Sequence, residues 1–196
     1  LNPLRDQALI PLTEPYTAMG YAHSGGGGGE VASANIHTIT LSGPGTEVVD
    51  WVLVEYRDEG DPANVIASFS GLLLENGVIR SSDWKQLPTF APDPTGAYYV
   101  AVRHRNHLGV MTAQPVDFST SPFIDFSFLT TPVYGNNARK TNNGTATLWS
   151  GDVNFDHTLK YVGSGNDRDP ILVNIGGSTP NNTLINQYNP LDVNMD

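Results

Sequence analysis

Asp152, Asn154 and Asp156 put oxygen-bearing side chains at alternate positions of the run Gly151-Asp152-Val153-Asn154-Phe155-Asp156. The same pattern returns as Leu191-Asp192-Val193-Asn194-Met195-Asp196, with Asp192 placed 40 residues after Asp152. Alternation gathers three oxygens on one side of a tight loop, where a hard cation such as Ca²⁺ can be held. Calcium loops place ligands at relative positions 1, 3, 5, 7 and 12. Counted from Asp152, these are Asp152, Asn154, Asp156, the carbonyl of Thr158, and Gly163. Gly163 has no side-chain oxygen, and the sixth position is His157 where such loops use Gly. Asp167 and Asp169 follow within a few residues, and an inserted loop from Lys160 to Gly165 lets either supply the closing carboxylate. Asp169 is favoured, because closing carboxylates open the helix that leaves the loop. The competing reading is a pair of Asx turns that needs no ion. The second copy stops where its loop would begin to close, so the chain reads as a piece of a longer one.

Other candidate chemistry is sparser. Arg103-His104-Arg105-Asn106-His107 is the densest basic and histidine cluster. It offers two imidazoles for a first-row metal without a third ligand, and Arg103 and Arg105 as a contact surface for carbohydrate or protein. Trp84, set among Ser81, Ser82, Asp83 and Lys85, is the best candidate for stacking on a sugar; Trp51 reads as core. Gly25 to Gly29 lacks the spacing and following helix of a nucleotide loop and reads as a flexible or closely packed loop. No G-x-S-x-G or H-E-x-x-H occurs, and no catalytic residue is nominated.

The elements that must position these groups are strands. Val49 to Arg57, Ile66 to Leu74, Val78 to Arg80 and Tyr98 to Arg105 are β-branched or aromatic runs, and Asn76-Gly77 marks a hairpin. Ile36 to Leu41, Gly109 to Phe118 and Phe123 to Leu129 read as further strands. Short strands divided by Gly, Pro and Asn turns predict an all-β fold, an immunoglobulin-like β-sandwich. Pro92 to Val100 reads as a tyrosine corner in such a sandwich. A short helix is expected after Asn166, capped by that residue and ended by Gly176. The expected division is a sandwich over residues 1–131, a connector packing on it over 132–150, and a small loop-helix calcium-binding segment over 151–196 with its second copy truncated.

The 196 residues carry 10 Lys and Arg against 20 Asp and Glu, a formal charge of -10 with no cysteine. So few cations leave little from which to build a nucleic-acid face or a site for anionic membranes. Disulfides and thiolate metal sites are excluded. No apolar run has the length needed to span a bilayer, so no membrane insertion is expected.

The Asp152-x-Asn154-x-Asp156 pattern, the expected helix and the tandem copy resemble type I dockerin repeats. LIPLTEPYTAMGY (residues 9–21), YYVAVRHRNHLGVMT (98–112) and GNDRDPILVNIGGS (165–178) look like a module of large secreted bacterial surface proteins of haemagglutinin or adhesin type. The resemblance implies a dockerin-like tail and an extracellular or cell-surface location. On this reading the chain is a non-catalytic module for adhesion or structural assembly, stabilised by calcium. Its partner is another protein, a second copy met through exposed strand edges, or a surface glycan. The alternative is a docking or carbohydrate-binding module attached to a secreted enzyme.

Overall fold

A computed structural model describes residues 3–32, 36–38, 43–83, 95–179 and 181–193. Its centre is an antiparallel sheet built from β1 (Val48–Asp58), β2 (Val65–Leu74), β3 (Ile79–Arg80), β4 (Ala97–His104) and β5 (His107–Met111). The order is β3-β2-β1-β4-β5, and β6 (Val116–Asp117) pairs with β4 as a sixth strand. A separate hairpin joins β7 (Lys140–Asn142) to β8 (Thr145–Thr147). The mostly β character expected of the sequence is present, and the strands expected from 49, 66, 78 and 98 onward lie where the apolar runs put them. The β2–β3 turn at Asn76-Gly77 has Gly77 at φ +83, the positive angle that this turn requires.

Two expected strands differ. Phe123 to Leu129 forms turns. The Asp125 carboxylate accepts hydrogen bonds from the N–H and hydroxyl of Ser127, and Arg139 takes the carbonyls of Phe126 and Phe128. Local side-chain bonding there replaces a ladder. Ile36 to Thr38 is a turn, and the rest of the run to Leu41 lies outside the described residues. The stretch Gly109 to Phe118 holds two short strands, β5 and β6. Of the tyrosine-corner segment, Pro92 to Pro94 lie outside the described residues; Tyr98 packs edge-on against Tyr56 and Phe118.

Strand alternation sends Trp51, Leu53 and Glu55 to one face and Val54 and Tyr56 to the other. On the first face Trp51, Leu53, Leu72 and Leu74 meet Leu4, Ile10 and Tyr16 from the N-terminal segment. Two polar contacts pin that segment: the Trp51 indole N–H donates to the Pro11 carbonyl at 2.8 Å, and the Tyr16 hydroxyl donates to the Trp51 carbonyl at 2.9 Å. On the second face Val54, Tyr56, Phe69 and Val100 pack with Phe118 and Ile124. Within the five-glycine run, Gly25, Gly27 and Gly28 are closely packed. A Cβ on Gly27 would stand 1.7 Å from the Ser68 carbonyl oxygen, so only glycine lets the loop lie on β2. Glu14, buried beside it, accepts the N–H groups of Tyr16 and Gly29.

The segment after residue 131 runs along β5. Thr112 bridges Val133 and His107 bridges Ser150, while Leu108 N–H donates to the Trp149 carbonyl and Tyr134 N–H to the Met111 carbonyl. No helix among the described residues is long and apolar enough to cross a membrane.

Candidate functional site

The run Asp152 to Asp169 folds into one compact turn. Phe155 and His157 adopt positive φ, 63° and 69°, and His157 thereby supplies a sharp bend of the sort more often made by glycine. Asp152, only 1% exposed, accepts the N–H of Asp156 at 3.1 Å and of His157 at 3.2 Å. Asn154 Oδ1 accepts the Asp156 N–H, and Asp156 Oδ1 accepts the Thr158 N–H. Asp167 reaches back across the loop: its carboxylate accepts the N–H of Val153 at 3.0 Å and of Lys160 at 2.8 Å. Burial pushes the Asp152 carboxyl above its ordinary value. The His157 N–H opposes that rise, and the neighbouring charges of Asp167 and Asp156 add to it.

The helix follows as expected, α2 (Arg168–Asn174). Asn166 Oδ1 accepts the Asp169 N–H at 2.8 Å, satisfying one of the free donors of the first turn. Asp169 is turned outward, half-exposed and paired with Arg168 at 2.8 Å, with a second contact to Asn166. Asp167, not Asp169, bridges the two sides of the loop. Among the described residues no three acidic or histidine side chains converge on one point. The carboxylates are spread around the turn, each leaning on backbone N–H groups. In the second copy, Asn194 and Asp196 lie outside the described residues.

The loop is fastened to the sheet through its two positive-φ residues. The Arg103 guanidinium lies 4.1 Å from the Phe155 ring centroid and donates to the His157 imidazole at about the same spacing as an ordinary hydrogen bond, 2.9 Å. On its other side Arg103 pairs with buried Glu55 at 3.2 Å, and Glu55 also takes Arg57 and the Tyr21 hydroxyl.

A second buried network lies beside it. Asp50 is fully buried and accepts from Arg105 Nε at 3.0 Å and from the Tyr188 hydroxyl at 2.6 Å, with His104 Nε2 at 3.0 Å. Burial raises its pKa, but His104, Arg105 and the Tyr188 hydroxyl outweigh that effect, and the carboxyl is lowered to about 2. His104 and His107 face one another through their Nδ1 atoms at 2.9 Å, with Asn106 Oδ1 between them. Arg103 and Arg105, nominated as a contact surface, are thus engaged in buried ion pairs, and Arg105 has no exposed surface at all. Trp84 lies outside the described residues.

Sequence reasoning missed Asp50, Glu55, Tyr188 and the anchoring of the loop by Phe155 and His157. A signal was present: Asp50 and Glu55 stand inside the apolar run of β1. A carboxylate buried there requires a cationic partner, and Arg103 and Arg105 are on a neighbouring run. Comparison with protein-family models, with curated proteins and with solved structures finds no match.

Proposed function

We propose that the chain is a non-catalytic extracellular module for adhesion or structural assembly on a bacterial surface, its dockerin-like tail stabilised by calcium. In this reading the sheet is the body of an immunoglobulin-like sandwich, and residues 151–196 are its dockerin-like appendage. The observation that carries the proposal is the turn around Asp152, where three carboxylates and an amide share one small loop. Asp152, Asn154, Asp156 and Asp167 are all hard oxygen donors, with the Thr158 carbonyl as a further one, so the donor set suits Ca²⁺ rather than a softer metal. A carboxylate that accepts two N–H groups still has lone pairs for a cation. A divalent ion would favour the charged form of the Asp152 carboxyl, which burial first, and then the charges of Asp167 and Asp156, hold above its usual value.

The tail also offers apolar surface to a protein partner. Tyr161, Val162 and Val173 are strongly exposed on the loop-helix segment, and Ile185 is exposed in the chain that follows it.

Calcium titration of the purified chain, followed by calorimetry and thermal melting, tests the proposal. At a hundredfold excess over the dissociation constant, calcium adds about 2.7 kcal/mol. For a chain of this size that raises the Tm by roughly 5–10 °C. Asp152→Asn should remove the gain. No heat of binding and a melting curve indifferent to both calcium and chelator would reject it.

A further inference from the structure

We propose that Asn106 is the junction that couples the two D-x-N-x-D copies, so that docking of the second copy sets the cation affinity of the first. The inference rests on the reading of residues 152–167 as a cation loop. Asn106 is fully buried at the tip of the β4–β5 turn. Its backbone carbonyl accepts the Gly151 N–H at 2.8 Å. Its side-chain Nδ2 donates to the Asp192 carbonyl. In the repeat Gly151 corresponds to Leu191 and Asp152 to Asp192, so one residue of the sheet holds the start of both copies.

The orientation of the amide is set from behind. Asn106 Oδ1 faces the Nδ1 atoms of His104 and His107 at 2.9 and 2.6 Å, which leaves Nδ2 aimed at the second copy. Arg105 supports the same contact. It donates to the Asn189 carbonyl and lies 4.4 Å over the Tyr188 ring, whose hydroxyl is bonded to Asp50. Residues 188–192, which lead into the second copy, are therefore held by buried polar side chains. The chain that leads to it, residues 181–187, is exposed throughout. If residues 188–192 leave, Asn106 Nδ2 loses its partner in a buried place and the turn must shift to find another. The same turn carries the Gly151 bond that begins the first loop. A ligand that fixes the first loop favours the docked tail by the same factor that the docked tail favours the ligand.

The experiment uses the full chain, with Ca²⁺ as the probe. Tyr188→Ala releases the tail without touching Asn106 or the first loop. It should expose residues 181–187 to protease and weaken calcium binding about tenfold, the equivalent of one buried hydrogen bond. Asn106→Ala should do the same. Should Asn106→Ala fail to fold, the wild-type chain still supplies a test. Saturating calcium must slow cleavage of the tail about tenfold, and Asp152→Asn must abolish that protection. A released tail with unchanged calcium affinity would overturn the coupling and leave the cation loop standing. A wild-type chain that binds no calcium would overturn both.

Discussion

Acid should weaken this fold through its imidazoles, His107 foremost, before it touches the carboxylates. Burial, then His104 and Arg105 nearby, lower the His107 pKa from 6.5 to about 4, with Asp50 acting in the opposite direction. The unfolded chain therefore binds a proton between these values that the folded chain refuses. A depressed pKa of this kind gives stability that is fully present above pH 6.5 and is lost as pH falls towards 4. The loss between pH 7 and pH 4 is about 3 kcal/mol, approached at a slope of about 1.4 kcal/mol per pH unit. That is a large part of a typical stability of about 5–15 kcal/mol. His157 is also lowered, by burial and then by Arg103, and adds its own loss in the same direction. Asp50 titrates lower. Its contribution is present above pH 3.8 and disappears as pH falls towards 2. Urea unfolding of the wild type and of His107→Gln at pH 7, 5.5 and 4.5 isolates the one proton, because the His157 effect is common to both chains. The wild type should lose about 2.5 kcal/mol more than the variant between pH 7 and pH 4.5. Parallel pH profiles would refute the assignment of that proton to His107.

Asp50→Asn leaves Arg105 buried without its counter-charge and should cost about 3–5 kcal/mol, read as a lower urea midpoint; a midpoint within error of wild type would show that the network is not holding the sheet. Gly27→Ala drives a methyl into the Ser68 carbonyl and should cost about 3 kcal/mol. Gly26→Ala meets open space at φ +96 and should cost about 1–2 kcal/mol, so the reverse order of the two would contradict the packing of the glycine run on β2.

The strands were legible where side-chain pattern and backbone agree. The run from Val48 to Asp58 alternates between two buried faces, and Asn76-Gly77 meets a turn that needs positive φ. The helix at Arg168 was legible because its cap is local: Asn166 lies three residues from the N–H it satisfies. Phe123 to Leu129 misled because aromatic alternation is not enough once an Asx turn at Asp125 offers the backbone nearer partners. The loop carboxylates were legible as a set, since their spacing is sequential. Which of the late acids reaches back was not, because Asp167 and Asp169 differ only in the direction each leaves the chain. The Asp50–His104–Arg105–Tyr188 network joins residues as far apart as 50 and 188. Only the pairing of β1 with β4 and the return of the tail bring them together.

The way the chain past Thr131 lies against β5 bears on how copies of this protein could associate. Edge hydrogen-bonding groups of Leu108, Met111 and Ala113 are already matched from within, by Trp149, Tyr134 and Pro132. At the opposite margin β3 offers just two residues. Among the described residues, a polymer grown by extending the ladder from one subunit into the next would meet a β5 edge that is already largely engaged. Association across this margin would instead run through side chains, and its specificity would be written in surface residues that can change without disturbing the sheet.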